Sequence, residues 1–347
     1  MRPPPETFSM NKALQRCCSL NLVGSALNQP SAWPAVFTGW SRILCMGILA
    51  LLARTAVGAD GLQPRPVPKY QAVPQPEHQI SFRREGHELT RLHYGPALRR
   101  PFLFPVIGPS GRELTRLGHP HDPEGHSHHN SVWISHHDVN GVDFWGDRGA
   151  GRIVHRRIIK LEDGDQRAAA VTENEWLDGD GRPLLRETRT IGVEATSTEG
   201  WLLTVAFRLL AVVDVEFGRT PFGFVGVRVA KSMGVNDGGG RILNSEGGVN
   251  EAEVFWKRAR WVDYSGAVAI GEVEGLSLMD HADNPNHPAV FHVRNDGWMG
   301  ASFSHASPVK LPKGATLELR YGVFVHGESP SGEVLETAWQ SFSGRRE

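Results

Sequence analysis

The sequence predicts an all-β fold, a large antiparallel β-supersandwich, on three observations. Long segments alternate apolar and polar residues with period two. Clusters of glycine, aspartate and asparagine separate those segments, and few stretches keep helical spacing over more than two turns. In WLLTVAFRLLAVV, 201–213, one face carries Trp201, Leu203, Val205, Phe207, Leu209 and Ala211, while the other mixes Leu202, Thr204, Ala206, Arg208 and Leu210. That pattern needs a strand with one buried face.

Ahead of the strands, residues 1–42 scatter Arg2, Lys12, Arg16 and Arg42 against one acid, Glu6. An apolar run, ILCMGILALLA at 43–53, precedes the small residues TAVGA at 55–59. This order predicts a secretory signal peptide over 1–59 with an extended n-region. Met10 is one alternative start. The run is too short for a spanning helix, which needs about 20 apolar residues. An exported protein, periplasmic or extracellular, is expected.

Cys17, Cys18 and Cys45 all lie in that leader, so the mature chain holds no thiol for disulfides, zinc or nucleophilic attack. From Asp60 onward 32 basic residues face 37 acidic ones, a mildly acidic balance that argues against nucleic acid. GLQPRPVPKYQAVPQPEH, 61–78, carries five prolines and reads as an extended tether, so 60–78 is expected to be a linker. One β-sandwich domain is expected over 79–345.

Strand patterns recur at 151–162, 182–193, 223–230, 289–294 and 317–326, with turn chemistry at LDGDGR (177–182) and NDGGGR (236–241). Long strands with one polar face suggest a broad concave sheet able to hold a ligand.

Positions 119–137 hold seven of the sixteen histidines. GHPHDPEGHSHH, 118–129, is a loop by its proline and glycine content. NSVWISHHDVNGVDFW, 130–145, reads as strand, turn and strand, with Asn140-Gly141 as a hairpin signal. Val132, Ile134 and His136 then share one strand face, and Trp133, Ser135 and His137 share the other, so His136 and His137 point oppositely.

Three readings stay open for this stretch. His-x-His pairs could hold a divalent metal, with His126, His128 and His129 as ligands if one is bound; no cofactor is favoured. Histidines near Asp138 and Asp143 could do acid–base work on a polyol framed by Trp133 and Trp145. Alternatively, the loop histidines are solvated and the tryptophans are core. In VFHVRND, 290–296, His292, Arg294 and Asp296 fall on one face, which lies in solvent or in a pocket.

RPFLFPVIGPSGRELTR (100–116), HPHDPEGHSHHNSVWISHHDVNGVDFW (119–145), ILNSEGGVN (242–250), ARWVDYSG (259–266) and HADNPNHPAVFHVRNDGW (281–298) occur in this order. Together they resemble the PmoA-like family of bacterial proteins, a domain of unknown function, over essentially all of 79–345. The most specific part is His128, His129, Ser131 and Trp133 followed by Asn140-Gly141-x-Asp143-Phe144-Trp145. The family's label suggests a membrane methane oxygenase subunit, which a mature chain without an apolar span of about 20 residues does not support.

The resemblance implies a galactose-mutarotase-like supersandwich and a carbohydrate or sugar-derived ligand. It also implies a functional link to nicotinamide-dependent sugar oxidoreductases. On residue type, the expected catalytic set is His129, His137 and His136 with Asp143 or Glu246 as carboxylate. The expected substrate contacts are His128, Trp133, Asn140, Trp145, Asn244, Asn284, His287, His292 and Arg294. The expected function is a sugar isomerase, epimerase or lyase, with a metal-dependent enzyme and a non-catalytic glycan-binding module as alternatives. A nucleotide cofactor is not indicated, because GDRGAG at 146–151 lacks a following helix.

Overall fold

Tyr70–Gln75 (β1) forms an edge strand inside the segment expected to be a tether. The edge position explains why Pro74 is accommodated, since an edge strand can dispense with one amide donor. The computed structural model describes residues 66–118, 126–197 and 200–344. The expected signal peptide, 1–59, lies outside the described residues.

After β1 come β2 (Gln79–Arg84), β3 (His87–His93), β4 (Phe102–Val106) and β5 (Val132–His136). Four long strands follow: β6 (Arg152–Glu162), β7 (Arg167–Leu177), β8 (Pro183–Ala195) and β9 (Trp201–Ala211). Next are β10 (Val215–Phe217), β11 (Gly223–Arg228), β12 (Arg241–Asn244), β13 (Lys257–Arg258) and β14 (Trp261–Ala269). The last are β15 (Glu272–Asp280), β16 (Val290–Arg294), β17 (Trp298–Ser302), β18 (Val309–Leu311) and β19 (Thr316–Gly327).

A nine-stranded sheet has the order β1-β2-β3-β4-β5-β11-β17-β16-β13, and an eight-stranded sheet the order β12-β14-β15-β19-β9-β8-β7-β6. Their paired strands run antiparallel. Ile80, Val132, Ile134 and Val225 of the first sheet share one buried apolar cluster with Ile191, Leu203, Val205 and Leu319 of the second. That is the expected antiparallel sandwich.

The alternation in β9 is as expected: Trp201, Leu203, Val205, Phe207, Leu209 and Ala211 are all buried. The interior also holds charge. Glu187 and Arg189 of β8 are both fully buried; Glu187 accepts hydrogen bonds from Asn174 Nδ2 (3.0 Å) and Trp176 Nε1 (2.6 Å).

Besides three short helical segments, Lys231–Met233, Val235–Gly238 and Asn250–Val254, one longer helix interrupts the strands. Gly332–Ser343 starts at Ser331, whose hydroxyl accepts the Val334 N–H. Leu335, Ala338, Trp339 and Phe342 recur at helical spacing and cover Leu202, Trp261, Met279 and Phe324 on the outer face of the eight-stranded sheet. Among the described residues no helix is long and apolar enough to cross a membrane.

The expected hairpin is shorter than predicted. Asn140 (φ 53°) and Gly141 (φ 78°) make its tight turn, but only one bridge, Val139 to Val142, follows, and 143–145 is not a strand. Asn140 is anchored by the chain rather than aimed at a ligand: its Nδ2 donates to Asp214 O (2.8 Å) and its Oδ1 accepts from Glu216 N (2.7 Å). Replacing Asn140 by alanine should therefore cost about 1–2 kcal/mol in the urea midpoint and leave ligand binding unchanged. Weakened binding at unchanged stability would restore the substrate role.

Candidate functional site

Backbone register builds the floor of the site. Across β4, β5, β11, β17 and β16, one row aligns Phe102, Trp133, Gly226, Gly300 and His292. The next row on the same face aligns Arg228, Trp298 and Arg294. The glycines make room for the indoles. A Cβ on Gly226 would stand 2.8 Å from Trp133 Cζ2 and 2.8 Å from Trp298 Cζ3, and one on Gly300 would stand 2.7 Å from Trp298 Cη2. Trp133, Trp145 and Trp298 thus form a separate buried aromatic cluster on the outer face of the nine-stranded sheet.

The histidine segment lies on that floor. The His129 ring stacks on Trp133 (5.1 Å, 25°) and on Trp298 (5.4 Å, 15°), and His128 and His126 sit 4.5 Å and 4.8 Å from it. Ser131, with φ of 60°, turns the chain from this loop into β5. The buried guanidinium of Arg100 ties the two flanks together through Asn130 Oδ1 (2.9 Å) and Phe144 O (3.2 Å).

A cavity of about 440 Å³ opens here, lined by His126, His128, His129, Trp145 and Phe222. Arg228, His292, Arg294, Asp296 and Trp298 complete its wall. Behind His292, Trp256 is 49% exposed, has a left-handed backbone (φ 56°), stacks on Phe255 and has its ring 6.4 Å from that of His292.

Burial keeps His128, His129 and His292 neutral. His292 is pushed down to about 4 by burial and then by the Arg294 charge, and His128 to about 4 by burial and then by Arg100. His129 is lowered further, by burial first, then by its contact with His128 and then by the Arg228 charge. His129 Nδ1, His292 Nδ1, Trp133 Nε1, Arg228 Nε and Arg228 Nη2 are buried and make no hydrogen bond. Arg228 itself is fully buried and spends Nη1 on Asp296 Oδ1 (2.9 Å). Two further clefts, of about 560 and about 760 Å³, include none of the residues expected from the sequence.

Of those expected residues, the structure brings together His126, His128, His129, Trp145, His292 and Arg294, with Trp133 beneath them. His292, Arg294 and Asp296 share the cavity, as their alternation suggested. Trp133 is fully buried and covered by His129, so it is floor rather than a contact face.

The other assignments fall elsewhere. His136 is fully buried between Phe217 and Phe303; its Nδ1 accepts the Asp138 N–H (3.1 Å), which leaves Nε2 to donate to Ser304 Oγ (2.8 Å). His137 is exposed and does not line the cavity, although its ring lies 6.0 Å from Phe222. Asp143 accepts the backbone N–H groups of Trp145 (2.6 Å) and Gly146 (3.0 Å) and so shapes a turn.

Glu246 is exposed and pairs with Arg260 (3.3 Å), and Asn244 accepts the N–H groups of Glu246 and Gly248. Asn284 and His287 converge on Asp280, at 2.7 Å each. None of these four lines the cavity.

Arg228, Trp298 and Phe222 complete the wall and were not selected from sequence; Asp296 was placed on the face of His292 but not among the site residues. Arg228 had a signal: it is the lone charge in FVGVRVA, on the same face as Gly226.

As for a metal, the rings of His126, His128 and His129 pack against one another. Among the described residues no group of three or more His, Cys, Asp or Glu could hold a metal ion. His119, His121, Asp122 and Glu124 lie outside the described residues.

Fold and cavity together define an antiparallel β-sandwich protein with an imidazole- and guanidinium-lined pocket over a tryptophan floor. The profile of a family of unknown function (DUF6807) matches residues 79–340, and the chain belongs to that family. No curated protein matches the chain.

Solved structures give distant likenesses. A heparan sulfate lyase from Pedobacter heparinus aligns at 12% identity and a TM-score of 0.39, over 83% of this chain and 42% of the lyase. The chain therefore spans less than half of that enzyme's length. A galactose 1-epimerase from Lactobacillus acidophilus NCFM aligns at 7% identity and a TM-score of 0.38, over 75% of this chain and 98% of the epimerase. A 4-alpha-glucanotransferase from Thermococcus litoralis aligns at 10% identity and a TM-score of 0.31, over 75% of this chain and 39% of the enzyme.

Proposed function

We propose that the cavity binds a sugar or oxidised sugar and acts on it by acid–base chemistry of the isomerase, epimerase or lyase type, in an exported protein. The observation that carries the reading is the gathering of four buried, unpartnered polar atoms, His129 Nδ1, His292 Nδ1, Arg228 Nε and Arg228 Nη2, in the wall of one cavity over an aromatic floor. Buried polar groups are normally paired, so a cluster of exceptions in a cleft calls for a ligand with many hydrogen-bonding groups. A sugar ring supplies hydroxyls for those groups and C–H edges for the indoles.

Neutral imidazoles suit the chemistry. Each ring carries one N–H and one lone pair, so it can take a proton at one nitrogen and donate at the other. His129 and His292 are the two such rings placed deepest in the wall. Asp296, rather than Asp143 or Glu246, is the carboxylate at hand. Kinship with the PmoA-like family and a link to nicotinamide-dependent oxidoreductases belong to the same proposal and rest on the resemblance alone.

Binding without turnover is the second reading. Trp256, exposed beside His292 in a backbone conformation unfavourable for a bulky residue, favours it. The variant His129→Phe separates the two readings, because phenylalanine keeps the stacked ring and removes both nitrogens. It should stay folded, bind hexoses about 10-fold more weakly, and lose any anomer exchange seen by proton NMR. Hexose binding and exchange both unchanged would remove His129 from the site. Binding lost with no exchange in the wild type would leave only the glycan-binding reading.

A further inference from the structure

The unpartnered atoms are unequal in kind. Trp133 Nε1, Arg228 Nε and Arg228 Nη2 can only donate, and so can Arg116 Nη1, which is likewise buried without a partner. Of these, Arg228 is the one in the cavity wall, and there it asks for acceptors, while the free imidazole nitrogens of His129 and His292 can take either role. Arg116 adjoins Arg228 through Asp296: its Nη2 donates to Asp296 O (3.2 Å), while Arg228 donates to the Asp296 carboxylate (2.9 Å). The Asp296 carboxylate thus meets Arg228 while Arg116 has only its backbone carbonyl, and Arg116 is held down to about 10 by burial and then by the Arg228 charge.

Arg294, on the opposite side of Trp298 in the same row, adds a third cation, half-exposed and paired with Glu251 (3.2 Å). Lining the cavity itself are two guanidiniums and one carboxylate, with His128, His129 and His292 neutral at pH 7. Each guanidinium has one carboxylate partner, Asp296 for Arg228 and Glu251 for Arg294, so the unmet demand at the wall is the two buried donors of Arg228, which are costly until an acceptor meets them.

We infer that the cavity selects sugars bearing a carboxylate, hexuronates or their oxidised relatives, with Arg228 as the receptor for the acid group. This rests on the sugar-binding reading above and narrows it. Guanidinium and carboxylate match in a planar, two-point geometry, and Arg228 has adjacent Nε and Nη2 donors left for that purpose.

Isothermal calorimetry at pH 7 with the full chain tests this, using D-glucuronate against D-glucose, D-galacturonate against D-galactose, and sodium sulfate alone. A uronate should bind about 10- to 100-fold more tightly than its neutral parent. That preference should vanish in Arg228→Gln and shrink several-fold in Arg294→Gln, whose exposed position protects the fold. Should Arg228→Gln not fold, the wild-type panel and Arg294→Gln still decide. Equal binding of uronate and parent sugar overturns the inference and leaves the sugar reading intact. Sulfate binding as tightly as the uronate overturns it too, as a bare anion site. Binding of no member of the panel sinks the sugar reading itself.

Discussion

Gly226→Val should destabilise the protein by roughly 3 kcal/mol and abolish ligand binding in the same variant. Strand propensity alone gives the opposite sign, because valine favours an extended backbone over glycine and Gly226 lies in mid-strand in β11. Packing decides. The new Cβ would meet Trp133 and Trp298 at 2.8 Å, well inside the 3.5–4.0 Å at which carbon atoms attract. Both rings are pinned: Trp133 is fully buried, and Trp298 lies under His129 and over Gly300. Relief would require lifting the floor, and with it the His129 ring that rests on both indoles.

The matched control is Gly111→Ala. That glycine has φ of 81° with nothing within 4 Å of an added Cβ, so it should cost only about 1 kcal/mol and spare binding. Urea midpoints with hexose titration check both variants. A Gly226→Val protein as stable and as competent as the wild type would show that the tryptophan floor does not position the site.

The sandwich was legible because burial in a strand has period two. Trp201 to Ala211 in β9 and the opposite fates of His136 and His137 both follow from counting alternate residues. The same count put His292, Arg294 and Asp296 on one face. What it could not supply is which strands are neighbours. Trp133, Gly226, Gly300 and His292 come from positions 133 to 292 and meet only through the order β5-β11-β17-β16. Without that order, Glu246 and His287 were as eligible as Asp296, and yet they serve Arg260 and Asp280 elsewhere.

Asp143 misled for a different reason. Its carboxylate sits in a tryptophan-rich motif but is consumed by two backbone amides. The terminal helix was readable, since LETAWQSF carries its apolar residues three and four apart, but twelve residues among nineteen strands made a weak signal.

Acidification should unfold the protein more steeply than a chain of ordinary histidines would allow. His136 is pushed down to about 3 by burial, which outweighs its backbone contact with Asp138, and the His137 charge adds to the lowering. In the unfolded chain the same ring takes a proton near pH 6.5. Between pH 6.5 and about 3 the unfolded state therefore holds the extra proton, and stability falls as pH falls. For this fully buried ring the loss is on the order of 4 kcal/mol once pH has crossed the window. His128 and His292, both near 4, act in the same direction over a narrower range, at the cavity itself.

His326 runs the other way. Burial opposes its charge, but the Asp263 carboxylate at 2.8 Å outweighs burial and raises it. Its contribution is present at low pH and fades as pH rises above the ordinary histidine range. Stability should therefore peak near neutrality and drop on the acid side. Urea midpoints from pH 7 to pH 4 check this in the wild type and in His136→Asn, whose Oδ1 can still accept the Asp138 N–H. The variant should be weaker at pH 7 and shallower in its acid slope by one proton. Parallel slopes would mean that His136 titrates normally in the fold, and that its burial is not what restrains it.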